Sequence, residues 1–223
     1  MRVSFIIPAF NEEKSIGEVL ERVAALGLDC QVIVVDDGST DGTRGVAERH
    51  EGVVVFHQEN RGKGAAIRAA IPHLDGDIAV IQDADLEYDP AEVPALIAPI
   101  VDGVADVVYG SRLAGGKPQR AYLFWHLVGN RFLSLVTGVL YNTTLSDMET
   151  GYKAFRTEIL RSLDLRENGF AIEPEITGRV CKRNLRIYEL PISYYGRTYA
   201  EGKKITWRDG IKALWVLFRV RFS

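Results

Sequence analysis

The apolar positions of the chain fall into short uninterrupted runs, each closed by a polar turn. Residues 3–7, 31–35, 53–56, 78–81 and 106–109 read as buried strands, because short runs rich in Val and Ile suit a sheet covered on both faces. Between them the apolar spacing lengthens to that of a helix. Ile16, Val19, Leu20 and Val23 mark a helix that stops near Gly27, with Ser15 and Glu18 at capping-box spacing. Further helices are expected up to about Arg49, from Gly62-Lys63-Gly64 to about His73, and over 90–100. Strands alternating with helices in this way imply an α/β fold with a mostly parallel, doubly wound sheet. Ligands of such sheets sit beyond the carboxyl ends of the strands. Three polar turns fall there, at 8–12, 36–41 and 83–87.

The second half changes character. Residues 121–141 are dense in large apolar side chains, among them Leu123, Phe124, Trp125, Phe132, Leu135 and Val139, with Arg131 set in their midst. Residues 147–156 read as a polar turn running into a short strand. A helix opens at 171–175 with Glu173 and Glu175 at its positive end. Two short strands, 186–190 and 192–195, lead to a basic loop at 197–204, and a last helix covers 206–222.

The sharpest chemical signal is the run Ile78-Ala-Val-Ile-Gln-Asp83-Ala-Asp85-Leu-Glu87. In extended backbone, residues i and i+2 point to the same side, so Asp83 and Asp85 face one point beyond the sheet. Hard oxygen donors at that spacing suit Mg²⁺ or Mn²⁺, which keep positions for water and phosphate oxygens, and Glu87 offers a third oxygen ligand. An isolated Asp-x-Asp is most often a solvated loop; the neighbouring polar turns are what make a site of this one. Gly62-Lys63-Gly64 fits neither a P-loop nor a dinucleotide fingerprint. Asp37, Ser39, Asp41, Gly42 and Glu48 match calcium-loop offsets, yet β-rich sequence precedes them where a calcium hand requires a helix. Asp37 reads better as a carboxylate reaching the N–H edge of a nucleobase, and Asp41 as a turn and cap residue.

Composition narrows the class. The chain has 223 residues, 47% hydrophobic and 26% charged, enough for one substantial core without staples. A net charge of −3 argues against a nucleic-acid binder. With Cys30 and Cys181 the only cysteines and no leader-like start, reduced thiols and a cytoplasmic setting are expected. No run reaches the roughly 18 apolar residues that would span a bilayer. From Lys203 to Arg221 the tail carries Lys203, Lys204, Arg208, Lys212, Arg219 and Arg221 against Asp209 alone. With Trp215, Leu217 and Phe218 this suits a helix in the headgroup region of an anionic leaflet, or one packed on the core with its cations snorkelling outward.

Phe5-Ile-Ile-Pro8-Ala-Phe-Asn11-Glu12, Val34-Val-Asp36-Asp37-Gly-Ser39, Gly62-Lys-Gly64 and Asp83-Ala-Asp85, in this order, resemble glycosyltransferase family 2 as far as about residue 205. Gly110-Ser-Arg112, Asn130-Arg131, residues 147–155 and Arg197…Glu201-Gly-Lys203 resemble the dolichyl-phosphate mannose and glucose synthases within it; Gly202 departs from their usual serine. The resemblance implies a GT-A fold over 1–205 followed by an amphipathic helix over 206–223. It implies inverting, metal-dependent transfer of mannose or glucose, from GDP-mannose or UDP-glucose, to a polyprenyl or dolichyl phosphate. The alternative acceptor is a sugar or protein hydroxyl. Pro8, Phe10, Glu12, Val35, Asp37 and Lys63 would contact the nucleotide sugar, while Asp83, Ala84 and Asp85 with Glu87 would hold metal and diphosphate. Arg112, Arg131, Arg197 and Lys203 would meet the acceptor phosphate or the leaving diphosphate, and Asp147 would line the catalytic site. A hydroxyl acceptor needs a general base, for which Asp147 and Glu149 are the candidates; a phosphate monoester is already largely a dianion at neutral pH. A lipid acceptor would place the protein peripherally at the inner face of the membrane.

Overall fold

A computed structural model describes residues 1–121, 123–198 and 206–223. Its centre is a seven-stranded sheet in the order β3-β2-β1-β4-β6-β5-β7. The strands are β1 (Val3–Ala9), β2 (Cys30–Asp36), β3 (Val53–His57), β4 (Ile78–Ile81), β5 (Val107–Ser111), β6 (Lys153–Arg156) and β7 (Ile187–Pro191). All pair in parallel except β6, which runs antiparallel to both β4 and β5. The sheet is therefore mostly parallel, as the sequence pattern implies, with one reversed strand inserted near its middle.

Side chains alternate strictly across it. Val3, Phe5 and Ile7 of β1, Val32 and Val34 of β2, and Ile78 and Val80 of β4 enter one core layer with α1 (Ile16–Ala24) and α4 (Val93–Val101). Ile6, Ile33, Val35, Ala79 and Ile81 enter the other, under α3 (Lys63–Ala70), α6 (Thr157–Ser162) and α7 (Ile172–Lys182). Burial of both faces is why these strands read as continuous apolar runs. α2 (Thr43–Glu48) joins β2 to β3. α5 (Phe124–Tyr141) and α8 (Trp207–Phe222) pack on one another through Leu133, Ala213 and Leu217. α8 also closes over α7, where Gly178 leaves room for Tyr141 and Val220.

Several local expectations change. Ser15 caps nothing: its hydroxyl donates to Glu12 Oε2 at 3.0 Å while Glu18 pairs with Arg22 four residues on. Residues 90–92 form a 3₁₀ turn capped by Asp89 before α4 begins. In place of a second strand at 192–195 there is a single bridge between Gln119 and Tyr194. The last helix is capped by Thr206 and Asp209, which exchange side-chain and backbone hydrogen bonds.

Candidate active site

The first two polar turns are clamped together by their own side chains, and Arg197 bridges the first to the third. Two residues past β1 comes Asn11, whose left-handed backbone (φ 53°) turns its Oδ1 to accept from the Thr40 N–H at 2.8 Å, while the Asn11 N–H donates to Ser39 Oγ. Asp41 accepts from the Thr43 N–H and the Glu12 N–H donates to Thr43 Oγ1, so the first turn is tied to the second. Asp37, at the end of β2, accepts from the backbone of Arg61 and Gly62 and from Gln58. Its carboxylate fixes the approach to α3 and still lines the cavity wall.

Gly62-Lys63-Gly64 is a packing device. A Cβ on Gly62 or Gly64 would fall 2.6 Å from the Asn168 carbonyl or 2.4 Å from the Glu167 carbonyl. The bare backbones let α3 press against residues 167–169, which brings Lys63 to the start of α7. There its ammonium lies 2.6 Å from Asp83 and 3.3 Å from Glu173. Burial disfavours that charge, yet Asp83 and Glu173 outweigh it and hold Lys63 above its ordinary range. Glu173 is also paired with the fully buried Lys153, whose pKa burial lowers despite that partner. Gly151 closes the arrangement, since a Cβ there would sit 2.6 Å from Lys63 Nζ and 2.7 Å from Asp83 Oδ2.

The acidic turn follows β4. Leu86 takes a left-handed backbone (φ 60°), a conformation that costs a leucine about 1 kcal/mol, and the Glu87 N–H donates back to Asp85 Oδ1. Arg197 spans the opening, donating to both oxygens of Glu12 and, at 2.6 Å, to Asp85 Oδ2. Burial together with Asp83 and Glu87 pushes Asp85 up to about 7, against the pull of Arg197. Tyr194 donates its hydroxyl to Glu87 and lies under the Arg112 guanidinium.

These groups surround one cavity of about 700 Å³. Pro8, Phe10, Glu12, Asp37, Lys63, Asp83, Ala84, Asp85, Glu87, Arg112 and Arg197 all line it. Three expected residues do not. Val35 points into the core beneath α3, because strand alternation sends it to the face opposite Val34. Asp147 is fully buried behind Arg112, with Oδ2 taking the Arg112 Nε at 2.7 Å and its backbone N–H at 2.9 Å, and Oδ1 taking Nη2. It orients that guanidinium and does not face the cavity. Arg131 is exposed on a neighbouring groove that shares Leu113, about 100° further round α5 than the cavity-lining Asn130. Lys203 lies outside the described residues.

Residues that sequence reasoning missed complete the walls. Tyr88 and Tyr194 form the aromatic side, Arg120 adds a cation, and Leu123, His126, Leu127 and Asn130 bring one face of α5 to the rim. The helical spacing of those four was readable, but nothing in it distinguished a cavity face from a core face. Glu149, expected as a general-base candidate, lines the cavity too, and its Oε1 accepts no hydrogen bond among the described residues. Burial, then Glu173, pushes its carboxyl to about 7, against Lys153.

Asp83 and Asp85 present an all-oxygen donor set of the kind a hard divalent cation takes alongside water and phosphate oxygens. Among the described residues no three His, Cys, Asp or Glu side chains form a metal cage. The two carboxylates instead face Lys63 and Arg197. The residues thus fit such an ion in kind, with its remaining ligands left to come from substrate and solvent.

Around this cavity α5 and α8 turn a second, apolar side outward. Trp125, Val128, Phe132, Leu135 and Val139 are exposed along α5, and Trp207, Ile211, Trp215, Phe218 and Phe222 along α8. The α8 cations are partly engaged: Lys212 and Arg219 pair with Glu167 at 2.8 and 3.0 Å, and Arg219 lies over the Trp215 ring. No helix among the described residues is long and apolar enough to cross a membrane.

Comparison with known proteins identifies the family and the fold. The glycosyltransferase AglJ of Haloferax volcanii is 32% identical over 196 residues, covering 87% of this chain and 63% of its own, so the chain spans less than two thirds of that relative. An undecaprenyl-phosphate mannosyltransferase of Micrococcus luteus is 32% identical over 220 residues, covering 91% of this chain and 87% of its own. Glucosyl-3-phosphoglycerate synthase of Mycobacterium tuberculosis, solved with Mn²⁺, UDP and glucosyl-3-phosphoglycerate, superposes with a TM-score of 0.77 at 22% identity. That match covers 99% of this chain and 80% of the synthase, and establishes the shared GT-A fold. Residues 4–164 match Glycosyl transferase family 2, and the chain belongs to that family.

Proposed function

We propose that the protein transfers a hexose, mannose or glucose, from GDP-mannose or UDP-glucose to a polyprenyl phosphate, with inversion and dependence on Mg²⁺ or Mn²⁺. The observation that carries this reading is the joining, in one cavity, of the acidic turn, the cations Lys63, Arg112 and Arg197, and the inner face of α5. A volume of about 700 Å³ accommodates a sugar nucleotide. The nucleoside would lie along Pro8, Phe10, Glu12 and Asp37, with the diphosphate over Asp83–Asp85. A divalent ion held by Asp83 and Asp85, with Glu87 near, would neutralise charge on the departing diphosphate. Arg197 and Lys63, held beside Asp85 and Asp83, would bear on the same charge, and preoriented cations act most strongly where water is excluded. Arg112, its fork fixed by Asp147, would grip the acceptor phosphate bidentately. One phosphate oxygen of the acceptor then attacks the anomeric carbon as the bond to the diphosphate breaks, giving inversion in a single displacement.

The acceptor assignment draws on the name of the Micrococcus luteus relative and on the exposed stripes of α5 and α8. We infer that these stripes rest in the headgroup region at the inner face of the membrane, where an isoprenoid chain would run out from the cavity past α5. The test is incubation with labelled GDP-mannose or UDP-glucose, Mn²⁺ and a polyprenyl phosphate. Label passing into the organic phase in an acid-labile glycosyl phosphate supports the reading; label appearing only on saccharide or protein acceptors defeats it.

One observation favours that second reading. Glu149 lines the cavity with one oxygen unpartnered among the described residues and a carboxyl poised near neutrality, which is what a general base for a hydroxyl acceptor requires. Transfer to a phosphate dianion would not use it.

A further inference from the structure

Three acids converge on one cation at the mouth of the cavity. Arg197 donates to Glu12 Oε2 and Oε1 at 3.0 and 3.1 Å and to Asp85 Oδ2 at 2.6 Å, and Glu87 Oε1 is 3.7 Å from its Nε. The backbone is pinned independently, its N–H donating to Glu87 Oε1 at 2.6 Å while Tyr194 donates to Oε2. The guanidinium is 23% exposed and Asp85 only 16%, so their attraction is poorly screened. Among the described residues the carboxylates of Glu12, Asp85 and Glu87 all meet this one guanidinium, so an organic cation occupies an acidic setting that suits a cation. A divalent ion needs its oxygens at about 2.1 Å and cannot approach the Asp85 oxygen while a guanidinium nitrogen occupies that direction.

We propose that Arg197 and the divalent ion compete for Asp85, so that the acidic turn takes up metal tightly only when a diphosphate draws the guanidinium away. This rests on the reading of Asp83–Asp85 as the metal and diphosphate site. The exchange conserves charge without moving a proton: the ion replaces what the carboxylates lose, and the diphosphate replaces what Arg197 loses. By thermodynamic reciprocity, nucleotide must then tighten metal binding by the factor with which metal tightens nucleotide binding. Arg197 turns to the diphosphate as it leaves Asp85, which couples loading of the ion to assembly of the cationic shell.

The test is Mn²⁺ binding, read from the resonance of free Mn²⁺, for the wild type, Arg197→Met and Arg197→Lys, each with and without GDP or UDP. Without nucleotide, Arg197→Met is expected to bind Mn²⁺ tighter than wild type by about tenfold or more, consistent with removing one close charge in a partly desolvated site. Arg197→Lys falls between them. Nucleotide should tighten Mn²⁺ binding more in the wild type than in Arg197→Met. Mn²⁺ alone should raise the Tm of Arg197→Met more than that of the wild type, which also verifies that the variant is folded. Equal Mn²⁺ affinities without nucleotide, with nucleotide-dependent binding intact in both proteins, would overturn the competition while leaving the metal site standing. Failure of the wild type to bind Mn²⁺ with either nucleotide would remove the metal reading itself, and the competition with it.

Discussion

Glu149 ties the chemistry of single residues to a measurable pH signature. Its carboxyl titrates near 7 in the folded protein against an ordinary value of 4.5, chiefly through burial. The unfolded chain therefore loses this proton first. Stability contributed by the protonated form is complete below about pH 4.5 and is lost as pH rises through 7, by about 3 kcal/mol at most. Glu149→Gln should flatten that decline, so the variant gains Tm relative to wild type at pH 8 but not at pH 4.5. The same substitution separates the acceptors: transfer to a lipid phosphate should persist, whereas transfer to a hydroxyl should fall by roughly 10²–10⁴. Asp85→Asn should reduce transfer by about 10² or more while circular dichroism and cooperative melting are retained, because a neutral amide oxygen holds a divalent ion far more weakly and cannot balance the charge of Arg197. Wild-type turnover in that variant would remove Asp85 from the chemistry. Asp83 and Asp85 stood out by their spacing after an apolar run, but both lie in the turn beyond Ile81 and not in extended strand, so the strand period does not place them. Asp147 was misjudged because its partner Arg112 is 35 positions away and no local pattern links them. Val35 was misjudged because adjacency to Asp36 and Asp37 concealed the alternation that buries it.

Among the elements, α3 and its flanking glycines show how a motif can be structural and functional at once. Gly64→Ala drives a Cβ into the Glu167 carbonyl, a backbone atom that cannot step aside, and should cost about 1–3 kcal/mol in urea unfolding. Gly151→Ala meets Lys63 Nζ and Asp83 Oδ2, side-chain ends that can shift, so it should lower the Tm less than Gly64→Ala does. It should also weaken nucleotide-sugar binding in calorimetry, as Lys63 is pushed off Asp83. Equal destabilisation by both substitutions would contradict this division. The parallel βα units could be read directly from alternating apolar periods. The junction of α3 with α7 could not, because Lys63 and Glu173 meet only through tertiary packing.

Across the whole molecule, α8 serves two masters. Ala213, Val216, Leu217 and Val220 seal it to α5 and α7, and Trp207, Ile211, Trp215, Phe218 and Phe222 remain outside. Its sequence pointed to either core packing or a lipid surface, and in the structure the buried and the exposed apolar residues occupy opposite sides of one helix. Replacing Trp125 and Trp215 together by Glu should lower partitioning onto anionic vesicles on the order of tenfold or more, with nucleotide binding in solution unchanged. Because Glu167 already engages Lys212 and Arg219, added salt should weaken wild-type partitioning less than the double substitution does.

The reversed strand has a consequence for synthesis on the ribosome. β6 separates β4 from β5, so the right-hand side of the sheet has no partner to add to until residue 156 has left the exit tunnel. Nascent chains ending before that point carry an open β4 edge and an unpaired β5, a template for adhesion to other chains. Chaperone occupancy on stalled nascent chains should therefore stay high until β6 emerges and fall abruptly afterwards.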